Sequence, residues 1–487
     1  MKTNKKTIFS FKENKKRIFF GLLIVLWIPF FSGCTDKNQS YSLKLEVWGV
    51  FDESLVYNDV INKYKELNPH ITDIKYRKFS QETYKQELLD ALASGQGPDI
   101  FLINSMWLPS FENKLESAPA GLLGERDMSD NFPDVVLADF ISGGKVFASP
   151  LSLDSLQLYY NKDLFNASGI AFPPKTWQEL SDDVQKISNV DATGNIVKAG
   201  VAMGTTQNVS RYSDIISLLM LQNGAELPTK KGDSAKIDQG VIDQKGNVIK
   251  AGEQALVYYT QFSKVSVASN ISNPLYCWNN AQNNSIEAFA RGNVAMIAGY
   301  SWQSREIKSK NPKLNFSVAP IPQANLARPL TVANYWAYAV SKNKIASSSK
   351  QVDDSLTPVS NEVRTYEAWQ FLRFLTLKNA GKVTLYNAIT KNSKDFSVSY
   401  DPALEYLKKT QQPAARRDII DLQKSDGNLG VFASGNLIAK SWYQVEPESI
   451  EKIFADGIDS IVKGEVSLHQ ALLLINNRLN VLMQAKK

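Results

Sequence analysis

Few residues of this chain have the types and the spacing that a catalytic site needs. The aromatic and polar side chains described below are better suited to holding a ligand. The two histidines, His70 and His469, are far apart, and no Cys/His cluster has the spacing of a zinc site. The segment 299–303 places Ser301 in a sequence like a nucleophile elbow but lacks the second glycine. No Walker-type glycine-rich loop occurs. We therefore expect no cofactor and no metal, and we favour a binding protein over an enzyme.

The first residues of the chain have the pattern of an export signal. Seven of the first 17 residues are Lys or Arg, residues 18–31 form an apolar run, and Ser32-Gly33 precede Cys34. A basic stretch, a short apolar stretch and small residues before a cleavage point are typical of a secretory signal, whereas a membrane span needs about 20 apolar residues.

The end of this leader resembles a bacterial lipoprotein signal, with Phe31 in place of the usual Leu. The resemblance implies that residues 1–33 are removed and that Cys34 carries lipid. Residues 34–42 would then tether the protein to the extracytoplasmic face of the cell membrane. An uncleaved N-terminal anchor is the alternative.

The charge of the remaining chain argues against a nucleic-acid partner. The full chain has 55 basic and 49 acidic residues, and the leader holds seven of the former and one of the latter. Residues 34–487 therefore carry 48 of each, which leaves no basic footprint. Cys277 has no intramolecular partner if Cys34 is lipidated, so we expect no disulfide.

The segment 43–103 predicts an α/β sheet and places polar and aromatic residues at one of its edges. Alternating apolar residues, helical spacing and turn residues indicate strand–helix–strand–helix–strand, which favours parallel strands with helical crossovers. Ligands bind beyond the carboxyl ends of such strands. Trp48 and Asp52 follow the first strand, and Asn104 and Trp107 follow the third. These four are candidate ligand contacts, although Asp52 could equally cap a helix.

Several segments, in order along the chain, resemble the solute-binding proteins of bacterial ABC importers, specifically the carbohydrate-binding, maltose-binding-protein-like family. Each segment alone is weak, but the ordered set is specific. The segments are residues 148–150, 159–165 and 173–177; 288–296 and 299–302; and 318–322 and 334–341.

The resemblance implies an α/β fold of two lobes, a periplasmic-binding-protein-like architecture with a ligand cleft between the lobes. The N-terminal lobe would comprise 43–151 and 323–376, and the C-terminal lobe 152–322 and 377–487. The chain would cross between them near 152–155, 320–322 and 377–380. The lobes would close around a small solute by hinge motion, and the protein, a monomer, would then dock on an ABC permease in the membrane.

The resemblance also implies which side chains bind the solute. A sugar needs flat aromatic surfaces and hydrogen-bonding groups. The aromatic candidates at family positions are Trp302, Trp442, Trp336 and Tyr335. The polar candidates are Asp154 in the first crossing and Asn208, Arg211 and Tyr212 in a loop before a helix. For the aromatic residues, burial in a core is the alternative.

Other functions stay open at this stage. A receptor for a non-sugar solute, such as a glycerophosphodiester or a peptide, is the first alternative, and Arg211 is the obvious candidate to bind a phosphate. An anchored glycan-active enzyme needs two carboxylates flanking the bond, and the acidic residues cannot exclude such a pair. An adhesin is the third alternative. The polar insert 346–361 has no functional interpretation.

Overall fold

The computed structural model describes residues 41–242, 246–268, 271–344 and 359–485, without the side chains of 266–268 and 271–272. The predicted leader with Cys34, the tether up to residue 40 and most of the insert 346–361 lie outside the described residues. Within the described ranges, no helix has both the length and the apolar character that a membrane crossing needs.

Seventeen α-helices occur in these ranges. They are α1 Asn58–Leu67, α2 Gln81–Ala93, α3 Leu108–Phe111, α4 Glu125–Asn131, α5 Asp134–Phe140, α6 Lys162–Ala167, α7 Trp177–Ile187, α8 Tyr212–Asn223, α9 Ala251–Thr260, α10 Ser285–Ala290, α11 Gln303–Lys310, α12 Asn361–Thr376, α13 Pro402–Thr410, α14 Arg417–Gln423, α15 Gly427–Asn436, α16 Pro447–Val462 and α17 Leu468–Ala485.

The strands of the same ranges are mostly short. They are β1 Leu43–Gly49, β2 Ile71–Lys78, β3 Ile100–Asn104, β4 Leu115–Glu116, β5 Ile141–Ser142, β6 Lys145–Val146, β7 Ala148–Ser149, β8 Gln157–Asn161, β9 Asn189–Val190, β10 Ile196–Val201, β11 Val241–Ile242, β12 Val248–Ile249, β13 Ser266–Ala268, β14 Ile271–Ser272, β15 Val294–Gly299, β16 Phe316–Ala319, β17 Thr331–Val332, β18 Trp336–Ser341, β19 Lys382–Tyr386, β20 Ser393–Ser397 and β21 Ala439–Lys440.

The first sheet has the strand order β2-β1-β3-β18-β4, and β7 also pairs with β18. Strand β1 is parallel to both β2 and β3, as the strand–helix alternation predicts. Strand β18 returns antiparallel to β3, with Trp336 opposite Asn104. The carboxyl end of β3 therefore lies beside the start of β18, which brings these two side chains to one edge of the sheet.

The second sheet has the strand order β16-β8-β15-β10-β9. All six residues of β15 are buried, and this strand is parallel to β10 and antiparallel to β8. Strand β15 ends at Gly299 and α11 begins at Gln303, so a three-residue connection, 300–302, follows the carboxyl end of a central strand.

Each sheet is the centre of its own hydrophobic core, and this confirms the predicted two-lobed α/β fold. The first core, here the N-terminal lobe, contains residues between Tyr41 and Leu153 and between Tyr335 and Ile420. The second core, here the C-terminal lobe, contains residues between Leu156 and Val332 and between Trp442 and Met483. Helix α15 lies between the cores, since Phe432 packs in the second and Ala433 in the first.

Three segments that pass between the cores, together called the hinge below, are hydrogen-bonded side by side. The amide of Leu156 donates to Val332 O at 2.9 Å, that of Ala333 to Lys440 O at 3.0 Å, and that of Asn334 to Asp154 O at 3.1 Å. The first of these segments is 153–156, since Leu153 packs in the first core and Leu156 in the second.

The other two crossings differ from the sequence expectation. The second occurs at 332–335, about ten residues after the predicted 320–322, because Ile321 and Val332 both pack in the second core. The third lies at 439–442 and not at 377–380. Side chains from Leu377 to Ile420 pack in the first core, so the predicted C-terminal segment 377–487 is divided between the two cores.

Candidate functional site

The connection between β15 and α11 presents an indole to solvent. Trp302 is 46% exposed, whereas its neighbour Tyr300 is buried. The side chain of Gln303 folds back so that its Oε1 accepts the Tyr300 amide at 2.6 Å. A Cβ at position 299 would lie 2.1 Å from that oxygen, so any other residue there would displace the carboxamide of Gln303. The strand end thus presents a large aromatic surface that the core does not use.

Arg211 covers part of this aromatic surface. It has φ +64°, a left-handed conformation, directly before α8. Its guanidinium carbon lies 5.5 Å from the ring centroid of Trp302 and 5.9 Å from that of Tyr300, within the range of a cation–π interaction. Burial raises the pKa of Asp214, one helical turn away, and the nearby Arg211 opposes that shift. The guanidinium is therefore already attracted to a carboxylate.

A chain of polar contacts runs from this connection to the N-terminal lobe. Asp214 Oδ2 accepts the hydroxyl of Tyr300 at 3.0 Å, and Asp214 also accepts a hydrogen bond from Asn334 in the second crossing. Asn334 Oδ1 in turn accepts from Asn104 Nδ2 at 3.0 Å. Asn104, predicted from the end of β3, therefore lies in the same network as residues of the C-terminal lobe.

Aromatic side chains line the N-terminal lobe beside this network. Trp336 is half-buried and lies edge-on to Trp107, with the ring centroids 4.9 Å apart. Phe51, which is 44% exposed, lies edge-on to Trp336 at 5.3 Å. Three aromatic rings from separate segments thus meet, and Phe51 and Trp336 leave part of their surface open.

Two contacts join the lobes directly. Lys85 of α2 forms an ion pair with Glu448 of α16 at 2.6 Å, and its ammonium lies 5.3 Å from the ring centroid of Trp107. Arg305 of α11 donates to the backbone oxygen of Thr410 at the end of α13. The lobes are therefore in contact in this structure, and both contacts must break if they separate.

The carboxylate of Asp154 is bound by the connection that carries Trp302. It accepts the amide of Ser301 at 2.9 and 3.1 Å and the hydroxyl of Ser301 at 2.6 Å. Burial raises the pKa of Asp154 to about 7, and these hydrogen bonds offset only part of that rise. Asp154, predicted to contact the ligand, thus accepts hydrogen bonds from the protein itself.

Three other aromatic candidates are buried with their polar atoms in use. Trp48 donates its indole N–H to Glu46 at 2.9 Å and lies under Phe79 and Arg77. Trp442 packs in the second core and donates to Ser217 Oγ at 3.3 Å. Tyr335, 3% exposed, donates its hydroxyl to Asp139 at 2.8 Å.

The remaining polar candidates also have partners in the protein. Asp52 accepts the hydroxyls of Tyr57 and Tyr406 at 2.9 and 2.7 Å. Tyr212 donates its hydroxyl to the backbone oxygen of Glu451 at 2.9 Å. Asn208 is buried and donates to the backbone oxygens of Asn279 and Gln282. Contact of the ligand with these residues, and with the three buried aromatic candidates, stays a prediction.

Sequence reasoning missed five residues of this surface: Phe51, Lys85, Asp214, Asn334 and Glu448. Phe51 lies in a loop and Lys85 on a solvent-facing helix, where neither hydrophobic period nor motif marks them. Asp214 and Glu448 lie in the first turns of α8 and α16, where an acid is expected to favour the helix dipole. Phe51, adjacent to the predicted Asp52, and Asn334, adjacent to the predicted Tyr335, had a signal that could have been used.

A carboxylate at the hinge gives a testable pH dependence. Asp139 of α5 accepts hydrogen bonds from Ser441 Oγ in the third crossing and from Tyr335. Burial raises the pKa of Asp139 from 3.8 to about 7, and the two hydroxyls lower it only in part. The folded protein therefore binds more protons than the unfolded chain between these pH values. Relative to the D139N variant, the free energy of unfolding of the wild type should fall as the pH rises from about 4 to about 7.

Urea titrations of both proteins at several pH values measure this difference. It should stay constant above about pH 8, where the carboxyl is charged in both states. A difference that rises with pH, or that does not change, would contradict the assignment of a protonated Asp139 in the folded protein.

In the described part of the chain, no group of three or more His, Cys, Asp or Glu side chains is arranged to hold a metal ion. The surface between the lobes instead combines partly exposed rings with amide, carboxylate and guanidinium groups. Such a surface can stack on an apolar ring face and exchange hydrogen bonds with hydroxyls.

Comparisons with known proteins agree with this geometry. A family model described as bacterial extracellular solute-binding protein matches residues 51–382. The maltodextrin-binding protein MdxE of Bacillus subtilis is 23% identical over 297 residues, which cover 59% of this chain and 63% of that protein. A binding protein of Brucella abortus is 24% identical over 323 residues, which cover 66% of this chain and 69% of that protein.

Solved structures share the fold. The cyclic alpha-maltosyl-1,6-maltose binding protein from Arthrobacter globiformis superimposes with a TM-score of 0.67 at 18% identity, over 91% of this chain and 100% of the other. The sugar-binding protein MalE from Xanthomonas citri gives a TM-score of 0.66 at 18% identity, over 91% of this chain and 98% of the other. At such identities the likeness concerns the two-lobed architecture alone.

Proposed function

The chain belongs to the bacterial extracellular solute-binding proteins, and we propose that it is a membrane-anchored receptor that captures a sugar or oligosaccharide and delivers it to an ABC transporter permease. The observation that carries this proposal is the indole of Trp302. It is 46% exposed at a strand end between two lobes, where the fold itself gains little from a tryptophan.

A carbohydrate matches the groups around this indole. The C–H face of a sugar ring stacks on an aromatic surface, and its hydroxyls both donate and accept hydrogen bonds. Asp214 and Asn334 supply such groups beside Trp302, and Trp336 with Phe51 supplies aromatic surface on the N-terminal lobe. A ligand that touches both sets favours the closed arrangement of the lobes.

Delivery requires release, which the hinge allows. The three crossings are joined by backbone hydrogen bonds that can persist while the lobes rotate, whereas the contacts of Lys85 and Arg305 break. Lipid on Cys34 would keep the receptor near its permease. One acyl chain binds a membrane only marginally, so a multiply acylated cysteine is expected. The receptor performs no covalent chemistry in this proposal.

A receptor for a phosphate-bearing solute is less well supported. Arg211 is a cation beside Trp302, but its guanidinium lies over two aromatic rings and is attracted to Asp214. A phosphate would have to compete with that carboxylate. The surface around Trp302 is therefore better matched to an uncharged polyhydroxylated ligand.

The experiment is a thermal-shift screen of the full chain in mild detergent against malto-oligosaccharides, other oligosaccharides, glycerol 3-phosphate and short peptides. A ligand that binds only the folded state stabilises it by about 2.7 kcal/mol at one hundred times its dissociation constant. We expect a saturable shift with an oligosaccharide. A shift with glycerol 3-phosphate or a peptide alone would contradict the sugar assignment, and a cleaved sugar after incubation would indicate an enzyme.

The interlobe ion pair provides a further prediction. Lys85 and Glu448 are 35% and 65% exposed, so their attraction is worth about 0–1 kcal/mol and is screened by salt. Because the pair forms only when the lobes meet, E448Q should weaken oligosaccharide binding by about fivefold at most. It should also reduce the dependence of affinity on salt between about 0.05 and 0.5 M.

The matched control is E405Q, which removes an exposed pair with Lys408 inside α13 at 2.8 Å. Calorimetric titrations at low and high salt compare the three proteins. Equal salt dependence in the wild type and E448Q would show that the pair does not contribute to closure.

A further inference from the structure

The carboxylate of Asp154 is occupied by donors of the protein itself. Its Oδ2 accepts the amide of Ser301 at 2.9 Å and the hydroxyl of Ser301 at 2.6 Å, and its Oδ1 accepts the same amide at 3.1 Å. The pKa of Asp154 is also lowered by the backbone of Ser155 and Trp302, although burial raises it by more. Both donor groups of Ser301 belong to the connection that carries the exposed indole.

The same carboxylate ties that connection to the hinge. Asp154 lies in the first crossing, and its backbone oxygen accepts the amide of Asn334 in the second crossing at 3.1 Å. Its side chain reaches the residues directly before α11, where the helix dipole favours a negative charge. The residue therefore connects two crossings to the connection before a helix of the C-terminal lobe.

The indole of Trp302 is only partly packed against the protein. Nearly half of its surface is open to solvent, and the guanidinium carbon of Arg211 lies 5.5 Å from its ring centroid. Its orientation therefore depends on the backbone at 301–302. That backbone is the part of the connection that Asp154 binds.

We propose that Asp154 is a positioning residue, which holds Trp302 through Ser301 in the orientation that stacks on a sugar and makes no contact with the sugar itself. The sugar in this inference rests on the proposed function, whereas the contacts between Asp154 and Ser301 do not depend on it. It differs from the expectation of the sequence, in which Asp154 binds a ligand hydroxyl directly.

The geometry is tested first without any sugar. The full chain is labelled with 5-fluorotryptophan, and the ¹⁹F resonance of Trp302 is assigned as the one missing in W302F. This resonance should move or broaden in both D154N and S301A, and it should return close to its wild-type position in S301T, which keeps the hydroxyl. D139N is the matched control, since it alters another hinge carboxylate bonded to a serine, and it should leave the Trp302 resonance unchanged.

Binding of maltotetraose then separates positioning from direct contact. D154N and S301A should each weaken binding about tenfold, the size expected for the loss of a hydrogen bond to a charged group. In a W302A background, D154N should cause no further loss, because the effect acts through the indole. Thermal midpoints of the sugar-free variants establish that each one folds.

Three results would overturn the inference. One is an unmoved Trp302 resonance in D154N and S301A. Another is an S301A variant that binds maltotetraose as the wild type does while D154N does not. The third is an equal loss from D154N with and without Trp302, which is the signature of a direct contact. If maltotetraose does not bind the wild type, the malto-oligosaccharide form of the proposed function fails, and the fluorine spectra still decide the positioning role.

Discussion

Replacing Trp302 with alanine is expected to weaken oligosaccharide binding by about 2 kcal/mol or more, a loss of at least about thirtyfold, because large aromatic anchors dominate binding energy. The side chain is 46% exposed, so its removal leaves no cavity in either core. The thermal midpoint of the sugar-free protein should therefore stay close to that of the wild type. Calorimetric titration with the best sugar from the screen measures the affinity.

Two comparisons make this result specific. W302F keeps a flat ring and should retain most of the affinity. F172A removes another exposed aromatic side chain, 78% accessible and in the connection between α6 and α7, and should bind as the wild type does. Unchanged affinity in W302A would remove Trp302 from the binding site.

Replacing Asp99 with alanine is expected to lower the free energy of unfolding by about 3–5 kcal/mol, since it leaves a buried arginine without its countercharge. Asp99 is 1% exposed at the start of β3. Its carboxylate pairs with Arg364 at 3.2 Å and Lys344 at 2.9 Å and accepts the amide of Glu46 at 2.7 Å. The network joins β1, β18 and α12 in the N-terminal lobe.

Urea unfolding of D99A and D130A measures this prediction against a matched control. Asp130 pairs with Arg126 at 3.8 Å, but both side chains are well exposed, so D130A should cost less than about 1 kcal/mol. A loss below about 1 kcal/mol in D99A would mean that the buried network is dispensable to the N-terminal lobe.

Much of the fold follows from local sequence patterns. The alternation of Leu43, Leu45 and Val47 predicts a half-buried strand, and β1 spans Leu43–Gly49 with these three residues buried. The helix predicted around Tyr84 and Leu88 is α2, and Gly95 follows its end with φ +70°. These predictions hold because periodicity and turn residues act within a few positions of one another.

The division between the lobes does not follow from such patterns. Helix α13 buries Ala403 and Leu407 on one face, as a helical period would indicate. The period shows that a face is buried but not which of two cores it packs against. The boundary at 376/377 was carried over from the resemblance, and α13 and α14 pack in the first core instead.

Prediction of the candidate site from the sequence is limited in the same way. Trp302 and Trp442 both follow from the resemblance, but their exposure differs because of partners distant in sequence. Ser217 of α8 accepts the indole N–H of Trp442, which packs in the core, while the connection after β15 leaves Trp302 open. Tertiary neighbours decide such differences, and no pattern within either segment records them.

Capture of a sugar without its conversion can be measured in one calorimetric titration of the full chain with the best oligosaccharide from the screen, followed by mass spectrometry of the recovered sugar. We expect saturable binding of one sugar per chain and recovery of the sugar unchanged. Either the absence of binding to every carbohydrate tested or recovery of a cleaved sugar would contradict it.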